Sequence, residues 1–200
     1  MLPSRLPVTL SRRRERLDGC RQPRLRGCWT LALVVALANP LSAGQRVSNE
    51  LQLKAAQLYR FPEFVEWPAR VLDGRPTIDV CVLTPNPFGR VLEQLTEGEV
   101  VSGRPLAIRY VDASAVGTCH VLYVPVRVPA RRRLLQRIAT APILTVGDSP
   151  SFLDEGGMVQ LTVVQNRVRF EISAVAAGRA GVKLSAQLLR LAYNVREERS

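Results

Sequence analysis

A succession of short β-branched segments, alternating with helical stretches of about ten residues, constrains the fold more than any other feature of this sequence. Four segments are predicted to form strands: 78–83, 106–111, 119–124 and 142–146. Helices are expected from Asn86-Pro87 to about Leu95 and from Pro129 to about Ala139, because proline is favoured in the first turn of a helix. Strands that alternate with helices in this way form βαβ units around a parallel sheet.

The C-terminal part departs from this pattern. Met158 to Val164 and Arg167 to Ile172 are joined by the polar pair Gln165-Asn166, which predicts an antiparallel hairpin at one edge of the sheet. A long helix is then predicted from Ala174 to about Val195. The predicted fold class is therefore α/β, with a single domain, a mostly parallel sheet flanked by helices, a C-terminal β-hairpin and a long terminal helix.

The N-terminal segment has the order of a secretory signal. An arginine-rich stretch ends at Arg26, Trp29 to Ala38 is apolar throughout, and Leu41-Ser42-Ala43-Gly44 supplies small residues for cleavage. The apolar run is short for a spanning helix, which needs about 20 residues, and a retained membrane anchor is the alternative. We expect a signal peptide over residues 1–43, a domain over residues 49–195 and a periplasmic location in a bacterium.

The formal net charge of +11 is concentrated near the N-terminus. Eight arginines against Glu15 and Asp18 give the expected signal peptide +6, which leaves +5 for the rest of the chain. A charge of that size needs no polyanionic partner, and the sequence lacks the clustered basic stripe of a nucleic-acid binder. The run Arg131-Arg132-Arg133 is interpreted as the start of a solvated helix face.

A helix is predicted from Ser48, with Ser48 or Asn49 as its cap and with Lys54 and Gln57 on the face away from the apolar stripe. The segment FPEFVEWP at 61–68 carries three aromatic rings between two prolines. We interpret these rings as a staple that faces the core, and a surface on which a ligand stacks is the alternative.

Cys81 and Cys119 are the two cysteines outside the expected signal peptide. An even count in an oxidising compartment favours a disulfide, and neighbouring parallel strands would bring the two Cβ atoms within reach. Two buried thiols are the alternative. His120 follows Cys119 on a predicted strand, so its ring points to the opposite face and does not activate the thiol. We interpret His120 as a core or edge histidine.

The sequence contains no strong catalytic or metal-binding pattern. It lacks a phosphate-binding glycine loop and a G-x-S-x-G elbow, and Cys81, Cys119 and His120 do not have the spacing of a common zinc site. Scattered carboxylates are interpreted as turn residues and caps: Glu63, Glu66, Asp148, Asp154 and Glu155. No catalytic residue, metal site or cofactor is predicted.

A candidate groove for a ligand or partner is formed by Gly156, Gly157, Arg169 and Glu171. Arg169 and Glu171 share one face of the last predicted strand, because side chains two residues apart on a strand point the same way. They line a groove beside the Gly156-Gly157 turn or pair across the hairpin, and the sequence leaves both possibilities open.

Several spaced motifs resemble those of the YfiR-like family of periplasmic proteins, and they extend from about Asn49 to Val195. The strongest begins at Gly156-Gly157-Met158-Val159, includes the strand 166–172 and continues into residues 180–192. The others are LKAA at 53–56, FVEWP at 64–68, CVL at 81–83, NPFG at 86–89, GRPL at 103–106, CHVLY at 119–123 and LTVGD at 144–148.

This resemblance implies a small α/β domain that acts as a homodimeric periplasmic repressor. Such a protein binds the periplasmic domain of an inner-membrane signalling protein, a diguanylate cyclase, and keeps cyclic-di-GMP signalling and biofilm formation low. The resemblance also assigns Cys81 and Cys119 to a family disulfide. The family's second cysteine pair has no counterpart after Cys119, so redox control is not carried over.

Three functions follow as hypotheses. The first is a periplasmic regulator of a membrane signalling protein, which is not an enzyme. The second is a periplasmic small-ligand-binding protein, or an accessory protein for a sensor kinase or an outer-membrane receptor. The third is a thiol enzyme, which would require an exposed Cys119 with a depressed pKa. No nucleic-acid partner and no stable membrane insertion after cleavage are expected.

Overall fold

The structure is a computed structural model that describes residues 41–165 and 167–197. Residues 1–40 of the expected signal peptide lie outside the described residues. Asn166 of the predicted hairpin turn lies outside them too. The helices are α1 (Leu41–Arg60), α2 (Ala69–Leu72), α3 (Val91–Thr96), α4 (Arg131–Arg137), α5 (Ala174–Arg179) and α6 (Ala186–Leu191), with 3₁₀ turns at Phe61–Phe64 and Val116–Thr118. None of these described helices combines the length and apolarity that a bilayer crossing requires.

Ten strands are present in the described part of the chain. They are β1 (Val65–Glu66), β2 (Ile78–Leu83), β3 (Val100–Val101), β4 (Arg104–Val111), β5 (Val121–Val124), β6 (Leu144–Gly147), β7 (Val159–Val164), β8 (Arg167–Ser173), β9 (Lys183–Leu184) and β10 (Asn194–Arg196). Strands β1 and β9 form a separate antiparallel pair, and the others form one sheet in the order β10-β8-β7-β6-β5-β2-β4-β3.

The large sheet is mostly parallel, as predicted. Among the described strand pairs of this large sheet, only β7 with β8 and β3 with β4 are antiparallel. The predicted hairpin is confirmed as β7–β8, and β10 continues the sheet beyond it by pairing in parallel with β8. The α/β fold class is therefore confirmed.

The central strands have two buried faces, which explains their continuous apolar sequences. Every residue of Ile78–Leu83 is buried. On one face, α1 and α3 contribute Ala55, Leu58 and Leu92 to the larger of two hydrophobic cores. On the other face, α4 contributes Leu134, Leu135 and Ile138 to the smaller core.

The predicted long terminal helix is wrong. The segment divides into α5, β9, α6 and β10, because α5 ends in a Schellman motif. Gly181 has a φ of +69°, its N–H donates to the Gly178 carbonyl, and the Val182 N–H donates to the Ala177 carbonyl. The chain then pairs with β1, and Ser185 caps α6 by accepting a hydrogen bond from the Leu188 N–H.

Two predicted helix starts are also wrong. Helix α1 begins at Leu41, so Ser48 and Asn49 lie inside it and do not cap it. Helix α3 begins at Val91, because Asn86 forms a local turn in which its side-chain oxygen accepts from the Phe88 N–H.

Candidate functional site

A concave surface lies where the end of α1 and the 3₁₀ turn after it meet β8 and α6. Its volume is about 660 Å³, which falls in the usual range of small-molecule sites. We call it the α1–α6 groove. Its wall combines apolar and polar side chains: Phe61, Phe64, Phe170, Leu188 and Leu191 with Gln57, Arg60, Glu63, Ser185 and Gln187.

Three contacts fix the walls of the α1–α6 groove relative to one another. The Phe61 ring packs edge-on against Phe170 with 5.4 Å between centroids. Gln57 Nε2 donates to the Val168 carbonyl at 3.2 Å, which ties α1 to β8. The Ser185 N–H donates to the Phe64 carbonyl at 2.9 Å, which ties the start of α6 to the 3₁₀ turn. The concave shape is therefore built into the fold.

Large apolar side chains border this groove and face solvent. Leu191 is 58% exposed and Tyr193 is 60% exposed. Tyr193 lies next to the groove wall, because its N–H donates to the Phe170 carbonyl at 2.8 Å. Exposed apolar side chains beside a concave surface are candidates for contact with a partner.

The predicted aromatic staple is confirmed in part. Phe61 and Trp67 are 3% and 9% exposed, so both rings belong mainly to the core. Phe64 is only partly buried and lines the α1–α6 groove beside Phe61. The alternative interpretation of this segment, a surface on which a ligand stacks, stays a prediction. Phe170 and Leu191 were not identified from the sequence, although the position of Phe170 between Arg169 and Glu171 indicates that its ring points away from theirs.

The predicted glycine pair has a packing role. Gly157 lies against the ring of the fully buried Phe152, and Gly147 in β6 lies against another edge of the same ring. Gly156 has a φ of +101°, a conformation that favours glycine. Both glycines are thus explained by the turn that carries Phe152.

Arg169 and Glu171 are placed on one face of β8, as predicted. Arg169 stands opposite Thr162 in β7, and Glu171 stands opposite Gln160. Glu171 also accepts a hydrogen bond from Asn194 in β10 at 3.3 Å. The glycine pair lies just before β7, at the open end of the hairpin. There the Ser173 N–H donates to the Met158 carbonyl. The structure therefore groups Arg169 with Glu171 and separates Arg169 from the glycines.

The Cys81–Cys119 disulfide is present in the structure, with 5.8 Å between the Cα atoms. Strands β2 and β5 are neighbours in the sheet, which is the arrangement that the pairing requires. Both cysteines are at most 4% exposed and belong to the smaller core. A bonded and buried Cys119 is not a free nucleophile, so the geometry does not favour a thiol enzyme.

His120 lies on the opposite side of the sheet from Cys119, as predicted. It is 1% exposed, and its ring packs edge-on against Trp67. Its Nδ1 accepts a hydrogen bond from the Asp79 N–H at 2.9 Å, which requires an unprotonated Nδ1. Burial lowers the pKa of His120, and the neighbouring Arg75 acts in the same direction against the Asp79 carboxylate. His120 is a core histidine.

The carboxylates near the glycine pair each have a separate basic partner. Glu155 binds Arg131, Asp154 binds Arg196, and Asp148 binds Lys54 at 3.1 Å. Glu155 and Asp148 act as part-buried anchors, whereas the Asp154 pair is exposed, and the three carboxylates do not converge on one point. In the residues that the structure describes, no three His, Cys, Asp or Glu side chains gather as they would around a metal ion.

Lys54 was predicted to lie on the polar, outward face of α1, but its side chain points inward. It is only 7% exposed, and it binds both Glu50 and Asp148. Burial alone would lower the pKa of Lys54, but the hydrogen bond to Glu50 and the charge of Asp148 outweigh burial and raise it. The side chain therefore links α1 to the loop after β6 as a permanent cation.

Residues 51–193 match the family described as YfiR/HmsC-like. A crystal structure of a conserved domain protein from Vibrio cholerae O1 biovar El Tor is similar, with a TM-score of 0.48 and 11% sequence identity. The similarity covers 75% of this chain, and the chain spans 60% of the length of that protein.

Proposed function

Because this chain belongs to the YfiR/HmsC-like family, we propose that it is a periplasmic regulatory protein that binds and represses an inner-membrane signalling protein, namely a diguanylate cyclase of the cyclic-di-GMP pathway. The observation that supports a binding role in this chain is the α1–α6 groove with Leu191 and Tyr193 exposed at its border. Partner surfaces are commonly apolar at the centre with aromatic anchors.

The contacts that hold the groove support this assignment. Because hydrogen bonds and the Phe61–Phe170 contact fix α1, β8 and α6, binding there does not require ordering of the groove walls. Arg60 and Glu63 place opposite charges among the lining residues, which favours one orientation of the partner.

The test is the concentration of cyclic-di-GMP in the bacterium that carries the gene. We expect deletion of the gene to raise the cyclic-di-GMP concentration, and complementation with the wild-type gene to lower it again. Complementation with the variant Leu191→Asp should not lower the concentration, because the variant places a charge in the apolar contact between the α1–α6 groove and the partner. Leu53→Asp is the matched control, since Leu53 is 50% exposed on α1 and lines a different cavity. An unchanged concentration after deletion would contradict the proposal.

A second candidate function is the binding of a small ligand for a sensor kinase or an outer-membrane receptor. It is favoured by the side-chain oxygen of Gln57, which is buried in the wall of the α1–α6 groove without a hydrogen-bond partner among the described residues. A ligand with an N–H or O–H donor would satisfy this oxygen. Thermal shift measurements on the wild type and on Gln57→Ala with a panel of such compounds test this candidate.

We also propose the homodimer that the family implies. Sedimentation equilibrium of the purified protein over a range of concentrations measures it directly, and a single monomeric species at all concentrations would contradict it.

A further inference from the structure

The arginine run at 131–133 is divided by the structure into two parts with different roles. Arg131 is turned inward, with its side chain 13% exposed, and it donates two hydrogen bonds to Glu155. Two further hydrogen bonds from the guanidinium reach the Val126 carbonyl and the Ser149 hydroxyl. Arg132 and Arg133 are exposed. The run is therefore more than a uniform solvated face.

The outer face of α4 is almost entirely cationic. Its exposed residues are Arg132, Arg133, Gln136 and Arg137, whereas Leu134 and Leu135 are buried beneath them. Residues at these spacings are neighbours on one side of a helix. Arg127 is also exposed, in the turn before α4, and Arg131 holds that turn against the helix through the Val126 carbonyl. We call Arg127, Arg132, Arg133 and Arg137 the α4 basic face.

The acidic side chains that the structure describes form no ion pair with this face, although the charge of Arg132 is felt by Glu155. None of the four guanidinium groups of the face takes part in an ion pair within the described residues. The stretch 125–139 contains five arginines and no Asp or Glu. Arg137 donates to the carbonyl oxygen of Ala113, a neutral acceptor, so its charge remains. Glu155, the carboxylate beneath the start of α4, is already bound by Arg131.

Two further features bear on how the α4 basic face would contact a partner: an exposed apolar residue beside it, and acidic residues on the other side of the domain. Val126 is 46% exposed in the turn beside Arg127. Helix α3 packs against the core on the opposite side of the sheet from α4, and Glu93, Glu97 and Glu99 lie on it or just after it. An anionic surface would therefore attract the α4 side of the domain and repel the α3 side.

We propose that the α4 basic face docks on an anionic phospholipid bilayer as a peripheral contact. The guanidinium groups are spread along the helix and its preceding turn, an arrangement that matches a plane of phosphate headgroups better than one bound anion. Four charges are fewer than the phosphate contacts of a typical nucleic-acid site. This proposal does not depend on the regulatory function.

The test is sedimentation with vesicles, using protein expressed from the whole chain. Vesicles of phosphatidylcholine mixed with phosphatidylglycerol are compared with vesicles of phosphatidylcholine alone. We expect binding to the mixed vesicles that weakens with salt. Each guanidinium that reaches the headgroups should contribute about fivefold to the partition coefficient. Arg132→Gln and Arg133→Gln should each lose about that factor, and the triple variant with Arg137→Gln should lose about a hundredfold.

The matched control removes three exposed arginines elsewhere, with Arg70→Gln, Arg90→Gln and Arg167→Gln combined. Both triple variants have the same net charge, and the positions are solvent-exposed in both. Retained binding by the control and loss by the α4 variant would support the proposal. Equal losses, unchanged binding by the α4 variant, or wild-type binding to an acidic protein but not to the vesicles would overturn it. Thermal unfolding confirms that each variant is folded, and the single variants provide the same comparison if the triple variant is not.

Discussion

At the scale of single residues, Phe152 explains why glycine stands at two positions of the chain. Its ring is fully buried between the backbones of Gly147 and Gly157. A Cβ atom at position 147 would lie 2.4 Å from the ring, and one at position 157 would lie 2.2 Å from it. Both distances are far inside van der Waals contact, so the ring requires glycine on both sides.

We predict that Gly157→Ala lowers the free energy of unfolding by about 2 kcal/mol, because the added methyl group overpacks a buried ring. Urea denaturation of the purified variant measures the change. Gly178→Ala in α5 is the matched control, since a Cβ there meets no atom within 4 Å. We expect this control to be neutral or stabilising by up to about 1 kcal/mol, as for alanine in a helix. Equal effects at positions 157 and 178 would refute the packing role of the Phe152 ring.

His120 is a second residue whose environment has a measurable consequence. Its Nδ1 accepts from the Asp79 N–H, so protonation would replace a buried hydrogen bond with two opposed donors. Arg75 and Arg104 add positive charge nearby, and Asp79 opposes them.

We predict that this buried, neutral imidazole makes the folded state sensitive to acid. The pKa of His120 is lowered in the folded state by burial, whereas the unfolded chain binds a proton near pH 6.5. The stabilisation is therefore complete above about pH 6.5 and is lost as the pH falls towards the folded pKa. The chain has one histidine, so NMR titration of its imidazole gives the folded pKa directly. A folded value at or above 6.5 would contradict this account.

At the scale of elements, Arg131 connects α4 to the loop after β6. Its guanidinium bridges Glu155, Ser149 and the Val126 carbonyl, with both charged side chains at most 13% exposed. Hydrogen bonds from Arg131 lower the pKa of Glu155 against the effect of burial. The contact therefore holds a loop that also carries Phe152.

We predict that Arg131→Gln lowers the free energy of unfolding by about 3 kcal/mol, because it leaves the Glu155 carboxylate poorly compensated in a nearly buried position. Arg132→Gln, one residue along the same helix but exposed, should change it by less than about 0.5 kcal/mol. Chemical denaturation of the two variants side by side provides the comparison. Similar losses of unfolding free energy in the two variants would show that the ion pair with Glu155 contributes no more to stability than an exposed arginine does.

The elements also show how far the sequence determines this fold. Strand β2 was predicted to the residue, and β5 and β6 to within two residues, because strands buried on both faces are continuously apolar. The long terminal helix was predicted wrongly because the leucines at helical spacing lie in separate elements, β9 and α6. The pairing of β9 with β1 is a long-range contact, which the local periodicity of the sequence does not reveal. Gly181 was the available signal for the helix end.

The candidate site was harder to predict than the fold for the same reason. The disulfide follows from cysteine number and strand adjacency, and the structure contains it. The α1–α6 groove joins residues about a hundred positions apart, and only Phe61, Glu63 and Phe64 among its lining residues belong to a segment that stands out in the sequence. The inward direction of Lys54 depends on Asp148, which lies 94 residues away.

At the scale of the whole molecule, the sheet separates two cores of unequal size. The larger contains residues from α1, α3 and the β7–β8 hairpin, and the smaller contains α4, Phe152 and both cysteines. The disulfide closes a loop with a sequence separation of 38 residues, for which the chain-entropy model gives about 4 kcal/mol. The disulfide therefore lies on the side of the sheet that buries fewer apolar residues.

We predict that reduction destabilises the two sides of the sheet unequally. Dithiothreitol should lower the Tm by roughly 10 °C, and the double variant Cys81→Ala/Cys119→Ala should show the lower Tm without it. Hydrogen exchange measured by mass spectrometry should show earlier loss of protection in peptides from α4, which packs only on the smaller core, than in peptides from the buried first half of β7, because local opening follows the density of buried contacts. The double variant treated with reductant controls for effects elsewhere, including at Cys20 and Cys28. A uniform loss of protection would mean that the two cores unfold as one cooperative unit, and an unchanged Tm would mean that the disulfide contributes little beyond the packing of its two sulfur atoms.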